Sequence, residues 1–380
     1  MLGDLIYFDN AATTRMDERV LEEMLPYMRE SYGNASAKYS IGYEARKAVN
    51  VARDRVAALI GANPDEIYFT SGATESNNIV LKGTDGALIA SETEHPSVLN
   101  TAFTLKNAGR AAAFLKPDAK GRINVNSLED AFENTAAGRM SKGLVSVMYV
   151  NNELGTENPV AELAERAHSH GWLFHTDAVQ ALGHEAVDVG SIKTEFLSAS
   201  GHKLYGPKGT GFLYIKRGAR IPGLFNGGLQ ERELRPGTEN VAGIVGLGKA
   251  CEIARLEAAE SSRKEKEIGK YIKEQIISTI PDAVQNGEGT RILNFSFRGI
   301  NGTSLMLRLD MEGICVSTGS ACSIGKEEIS HVLRSIELEK ALAEGSLRIS
   351  IGKYNTLDEA WILVDKIRAL TEELRNLMTV

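Results

Sequence analysis

The sequence predicts an α/β fold built on a mainly parallel sheet, and two observations carry that reading while a third points to ligand-cradling loops. Short apolar runs of strand length alternate with longer stretches of helical periodicity. The alternation recurs along the first two-thirds of the chain, which implies βαβ units. Glycine is the outlier of the composition, at 37 residues, as expected of tight turns and of loops that approach a ligand closely. In such sheets ligands sit beyond the carboxyl ends of the strands.

The elements follow in order. Residues 18–31 place Val20, Leu21, Met24, Leu25 and Met28 at helical spacing, and residues 43–61 do likewise with Val49, Ala52, Val56, Leu59 and Ile60. EIYFT (66–70) is a buried strand that runs into SGATESNN, a small polar loop opening a helix at NNIVLKG. ALIAS (87–91), VSVMYV (145–150), WLFHT (172–176) and FLSAS (196–200) are further strands, separated by stretches such as the helical VAELAERAHSHG. A long helix covers roughly 240–279, and the charge of its second half, LEAAESSRKEKEIGKYIKEQI, predicts an exposed connector. Past Pro281 come a strand (RILNFSFRG), a helix (SLMLRLDMEG), a strand (SLRISIG) and a final amphipathic helix opened by Thr356 and Glu359 at capping-box spacing.

The 380 residues suit two domains, with a boundary near residue 255. Hydrophobic residues at 43% and charged residues at 24% argue against a disordered chain. A net charge of −7 argues against nucleic-acid partners and an anionic membrane surface. No apolar run of membrane-spanning length occurs, and the opening MLGDLIYFDNAATT lacks a basic region, so the expectation is a cytoplasmic protein. The three cysteines, at 251, 315 and 322, are odd in number and show no C-x-x-C spacing, which excludes a disulfide framework or zinc ribbon.

Four constellations could carry chemistry. In SGATESNN, Ser71, Gly72, Ala73 and Thr74 would let backbone N–H groups meet an anion at a helix start, although a plain helix cap is the commoner meaning. Asp177, just past a buried strand in HTDAVQ, needs a partner; it is either a cap or salt bridge, or a carboxylate that keeps a cofactor ring nitrogen protonated. Lys203 follows a strand and precedes Gly206 and Gly209, a setting for a desolvated nucleophilic lysine, with Lys208 as the solvated alternative. Cys322 sits in the small-residue run STGSACS as a reachable thiol, while Cys251 and Cys315 fall in apolar patterns and read as inert. Two decoys are set aside. GIVGLGK (243–249) mimics a P-loop but has Ala250 where the magnesium-binding hydroxyl belongs and no strand before it. His168 and His170 lie at the polar end of a helix without partnering cysteines.

Taken together these stretches resemble the cysteine desulfurases of the NifS/IscS type, in the class V aminotransferase family of fold-type I pyridoxal-phosphate enzymes. The resemblance spans nearly the whole chain in order: YFDNAATT (7–14), GNASAKYSIG (33–42), TSGATESNN (70–78), TEHPSVL (93–99), VNNELGT (150–156), HTDAVQ (175–180), SGHKLYGPKG (200–209), RPGTEN (235–240) and STGSACS (317–323). It implies a large domain, residues 15–254, with a mainly parallel seven-stranded sheet flanked by helices. A smaller α+β domain, residues 1–14 and 255–380, would carry a mobile cysteine loop at about 317–326.

By the same resemblance, Lys203 would carry pyridoxal phosphate covalently. Asp177 would hold the pyridine nitrogen protonated, Gln180 would bond the ring hydroxyl oxygen, and Asn152 would lie beside it. His95 would stack on the ring and shuttle protons, deprotonating the substrate thiol. The Ala73 backbone, Thr74, Ser200 and His202 would hold the phosphate, and Thr238 would reach the phosphate of the neighbouring subunit of a homodimer. Arg348, assisted by Asn34, would pair with the carboxylate of L-cysteine. Cys322 would attack the substrate sulfur and pass it on, for iron–sulfur cluster assembly, to a scaffold protein of the IscU type. The only metal role implied is transient ligation of a partner's cluster by Cys322. Ala35, Tyr39 and Leu229 depart from the family's usual residues without touching this chemistry. The alternatives are a selenocysteine lyase, another pyridoxal-phosphate transferase such as an aminotransferase, and a non-catalytic scaffold.

Overall fold

The computed structural model describes residues 5–318 and 329–377. A seven-stranded sheet runs in the order Ile67–Thr70, Gly211–Ile215, Phe196–Ser200, Leu173–Asp177, Gly143–Ser146, Ala87–Ser91, Ala112–Leu115. Gly211–Ile215 is antiparallel to both neighbours, and every other pairing is parallel. Apolar residues line both faces, so the strands are continuous hydrophobic runs, as a sheet covered by helices on each side requires.

The third expected strand is shorter than its apolar run. VSVMYV stays beside the next strand, with Val147 N–H donating to the His175 carbonyl at 3.1 Å and Tyr149 N–H to that of Asp177 at 2.9 Å. On the other side, Met148 N–H turns to the buried Glu94 carboxylate at 2.6 Å. A side chain there takes the place of a neighbouring strand, so the ladder ends at Ser146. Two strands of this sheet lay outside the sequence reading: the short edge strand Ala112–Leu115 and Gly211–Ile215, which emerges from a glycine-rich turn.

Helices Glu18–Arg29, Ser40–Ile60 and Val160–Ser169 form where the periodicity puts them, and Ala73–Gly83 starts inside the polar SGATESNN, ahead of the expected opening at NNIVLKG. Val241–Thr279 is one helix of 39 residues. Its first half buries Ile244, Leu247 and Cys251 against Val49, Ala52 and Val56. A Cβ on Gly248 would lie 2.6 Å from the Ala52 Cα, so this glycine of the P-loop decoy serves close helix packing. The second half is not a bare connector: Glu265, Ile268, Gly269, Ile272 and Ile276 recur at helical spacing and are buried, and the charges occupy the remaining faces.

That buried stripe packs on a three-stranded antiparallel sheet, Ser346–Ser350, Ile292–Phe297 and Ala283–Asn286. A Cβ at Gly269 would fall 1.8 Å from the Thr290 carbonyl oxygen, so the chain entering this sheet lies directly against the helix. Ile6–Tyr7 pairs in parallel with Ile314–Cys315, and Phe8 joins the same core as Phe295, Leu347 and Ile349. The last helix, Leu357–Leu377, opens with the expected reciprocal cap: Thr356 N–H donates to Glu359 at 3.0 Å and Glu359 N–H to Thr356 Oγ1 at 3.2 Å. No helix of the described residues is long and apolar enough to cross a membrane.

Candidate active site

A cleft of about 850 Å³ opens where several parallel strands end. Ser71–Thr74 follow the strand Ile67–Thr70, His95 follows Ala87–Ser91, Asp177 closes Leu173–Asp177, and Ser200 closes Phe196–Ser200. The three-stranded sheet contributes Arg348, and the N-terminal stretch contributes Ala11, Ala12 and Thr13. Topology has thus gathered residues from six separate chain segments at one sheet edge, as the strand-end rule for open α/β sheets requires.

Lys203 ends a short 3₁₀ turn, Gly201–Lys203, directly after its strand. Its ammonium donates to the carbonyl oxygens of Ala11 and Ala12, which hold it over the cleft. Asp177 is buried, and its carboxylate is fully engaged on its protein side: Oδ2 accepts from Asn77 Nδ2 at 2.8 Å and Oδ1 from Val179 N–H at 3.0 Å. His95 caps the helix Pro96–Asn107, its Nδ1 accepting from Ser97 N–H at 3.1 Å. Burial lowers its pKa, with Lys203 and His331 acting in the same sense and Asp177 opposing, so the ring is neutral at pH 7. Gln180 donates through Nε2 to the Ala11 carbonyl at 3.0 Å, while buried Arg291 donates to the Gln180 carbonyl at 2.8 Å.

The opposite end of the cleft suits an anion. The helix Ala73–Gly83 points its start at the cleft, and its first N–H groups have no intrahelical partner. Gly72, just before it, has φ 151°, a conformation that favours glycine, and a Cβ on Gly211 would lie 2.7 Å from the Gly72 Cα. Thr74, Ser200, His202 and Lys208 line the same end. His202 is held by Thr13 Oγ1 at 3.1 Å, and its pKa is lowered to about 4 by burial and by the nearby Lys203 and Lys208. A phosphate-binding helix start, a lysine and a buried carboxylate in one cleft are the donor set that pyridoxal phosphate requires, and the residues fit that cofactor.

Beside them lies a group of buried ionisable side chains. Arg348 is 2% exposed; Nη2 donates to Asp9 at 2.7 Å and Nη1 to the Asn152 carbonyl at 3.0 Å, while Nε has no hydrogen-bond partner. Ser317 exchanges two backbone hydrogen bonds with Arg348, at 3.1 and 2.6 Å. Glu153 accepts from Ser330 Oγ at 2.5 Å, and burial raises its pKa to about 7 against the opposing effects of Ser330 and Arg348. Glu94, also buried, is pushed well above the ordinary carboxylate range by burial and by Asp177, and its Oε2 has no partner.

Of the residues singled out in the sequence, Ala73, Thr74, His95, Asn152, Asp177, Gln180, Ser200, His202, Lys203 and Arg348 all line this cleft. Asn34 does not reach it: the side chain is exposed and its Oδ1 is taken by Ser36 N–H at 2.8 Å. Thr238 is exposed and also stands outside the cleft. Cys322 lies outside the described residues; Ile329 and Ser330, which follow that stretch, line the cleft. Cys251 is fully buried, and burial raises the pKa of its thiol. Cys315 is half-buried rather than packed in a core, with its thiol raised in the same direction. His168 pairs with Glu195 at 2.9 Å and His170 with Glu129 at 3.2 Å; no group of three or more metal-ligating residues occurs among the described residues.

Sequence reasoning missed Asn77, Ser97, Glu153 and His331, together with the roles of Asp9, Ala11 and Ala12. Asn77, Ser97, Glu153 and the N-terminal three lay inside quoted motifs, but carbonyl oxygens and bridging side chains leave no periodic signal.

The fold and cleft define a fold-type I enzyme that depends on pyridoxal phosphate. The chain belongs to the class V aminotransferase family, whose model matches residues 6–363. It is 42% identical over 383 aligned residues to a protein of Dictyoglomus turgidum named cysteine desulfurase IscS, covering 98% of this chain and 96% of that one. Among solved structures it resembles a NifS-like protein with TM-score 0.89 and 35% identity, over 98% of this chain and 100% of that one. It also resembles SspA in complex with cysteine, with TM-score 0.80 and 35% identity, over 92% and 100% of the two chains.

Proposed function

We propose that this protein is a cysteine desulfurase that takes sulfur from L-cysteine, releases L-alanine and leaves a persulfide on Cys322. The observation that carries the reading is the meeting of Lys203, Asp177, His95 and Arg348 in one cleft, two of them held by the same N-terminal stretch. Bound pyridoxal phosphate supplies the electron sink that makes bonds at the α- and β-carbons of an amino acid labile.

The chain's own residues do the rest. Lys203 carries the cofactor, and Ala11 and Ala12 fix where its amine stands. Asp177 keeps a ring nitrogen protonated; Asn77 and Val179 hold its two oxygens, so the carboxylate needs no rearrangement to do this. Ala73 N–H, Thr74, Ser200 and His202, all lining the cleft, would hold the phosphate, and Gln180 and Asn152 would contact the ring. Arg348 orients the substrate by its carboxylate. Cys322 attacks the substrate sulfur: the C–S bond breaks, an S–S bond forms, and the released electron pair stays on the β-carbon, which takes a proton. No outside oxidant is needed.

Thr238, exposed and outside its own cleft, supports a homodimer in which it reaches the phosphate of a second copy. The name IscS of the relatives supports delivery of the sulfur to an iron–sulfur scaffold of the IscU type, and we place that delivery in the cytoplasm. The test is to measure alanine and sulfide released from L-cysteine by wild type and by Cys322→Ala. The variant is expected to lose sulfide release; unchanged release would overturn the reading in favour of a transferase that does not use Cys322.

A further inference from the structure

Asn77 is fully buried in the helix Ala73–Gly83, and beyond its hold on Asp177 the proposed reaction gives it no part. Its Nδ2 spends both protons within the site: one on Asp177 Oδ2 and one on Ser97 Oγ, each at 2.8 Å. The orientation is forced, because turning the amide over would set its oxygen against the Asp177 carboxylate. Its Oδ1 is buried without a partner, so the amide is held by its donors alone.

The consequence passes to Ser97. Its Oγ accepts from Asn77 and therefore has its own proton to give. That oxygen lies 2.8 Å from His95 Nδ1, and Ser97 N–H lies 3.1 Å from the same nitrogen. Nδ1 thus receives two donors and cannot carry a proton, so the neutral ring holds its proton on Nε2.

We propose that Asn77 is a positioning residue that ties Asp177 to His95 through Ser97 and fixes the proton of His95 on Nε2. His95 then meets an incoming group as an N–H donor, and takes up a proton at Nε2 only after giving one away. This revises the simpler assignment of His95 as the first base for the substrate thiol. The inference takes its meaning from the desulfurase reading, but its test does not depend on it. Protonating the ring means protonating Nδ1, which breaks both bonds from Ser97, so the chain of contacts favours the neutral ring. Asp177, Lys203 and His331 are the charged or titratable groups that act on that ring from neighbouring segments.

The test uses the holoenzyme with ¹⁵N-labelled histidine, the His95 signals being identified by their loss in His95→Gln. At neutral pH, Nδ1 is expected in the unprotonated range and Nε2 in the protonated range. In Ser97→Ala and in Asn77→Ala the His95 titration midpoint should rise by roughly half to one pKa unit, the worth of a neutral hydrogen bond. The double variant should rise no further than the larger single one, because Asn77 acts through Ser97. Ser97→Thr, which keeps the hydroxyl, should restore the wild-type midpoint. A proton on Nδ1 in the wild type overturns the proposal, and so does an unmoved midpoint in both alanine variants. If Asn77→Ala does not fold, the wild-type tautomer and the Ser97→Ala and Ser97→Thr pair decide. If these signals hold while no sulfide or alanine forms from L-cysteine, the desulfurase reading fails and this one stands.

Discussion

Asp9 Oδ1 lies 2.7 Å from Nη2 of Arg348, so the arginine faces the cleft with part of its fork already occupied. The remaining donors keep the planar geometry that a substrate carboxylate needs. Arg348→Lys retains the charge but loses that geometry. We expect KM for L-cysteine to rise roughly tenfold to a hundredfold, about 1.4–3 kcal/mol of lost binding, with a smaller change in kcat. Steady-state kinetics at several cysteine concentrations checks this. An unchanged KM would remove Arg348 from substrate recognition.

Glu153 links stability to pH. Its folded pKa, raised to about 7 by burial, lies above the ordinary value of 4.5. Between these values the folded chain holds a proton that the unfolded chain has released. Stability from this group is therefore complete below pH 4.5 and is lost as pH rises through 7, by up to about 3 kcal/mol. Glu153→Gln should match the wild type near pH 4.5 and exceed it at pH 8 in denaturant unfolding. Parallel stability curves for the two proteins would contradict this.

His175 works in the opposite sense. It is fully buried between Ser146 Oγ at 2.8 Å and Ser198 Oγ at 3.0 Å, and burial lowers its pKa to about 3. Its contribution is present above pH 6.5 and is lost as pH falls towards 3, because the unfolded chain takes up a proton that the folded one refuses. Replacing it with Gln should lower stability at pH 7 by roughly 1–3 kcal/mol through the broken serine contacts. The same change should flatten the fall in stability between pH 6 and pH 4. Unfolding curves at three pH values give both quantities.

The cysteines should separate under a water-soluble alkylating reagent. Burial suppresses the Cys251 thiolate and denies the reagent access, and Cys315 is half-buried with its thiol raised. Mass spectrometry of the native protein should find Cys322 modified first, Cys315 slowly and Cys251 only after unfolding. Early modification of Cys251 would mean that its helix opens in the native state.

Much of this was legible because each element repeats a simple rule. The strands at ALIAS and FLSAS, and the helix starting at Leu357, form where periodicity and capping place them. What failed depended on contacts distant in sequence. VSVMYV ends early because a glutamate 54 residues away takes its N–H. The second half of the long helix looked solvated because its charges outnumber a buried stripe that only the small sheet explains. Within the cleft, Lys203 and Asp177 were visible as costly residues beside buried strands. Asn77 was not, since an asparagine inside a helix gives no hint of the carboxylate it will meet 100 positions later.

The helix Val241–Thr279 has a consequence beyond packing. At 1.5 Å per residue its 39 residues make a rod of roughly 58 Å, embedded at one end in the core beneath Lys203 and at the other in the core beneath Arg348. We expect it to act as a gauge bar that sets the spacing between the lysine and the arginine. Gly269, where the Thr290 carbonyl rests on the bar, is its calibration mark. A methyl group there, in Gly269→Ala, should both lower Tm, by roughly 1–3 kcal/mol of stability, and raise KM for cysteine, although no atom of residue 269 lines the cleft. A lowered Tm with an unaltered KM would show that the spacing is set elsewhere.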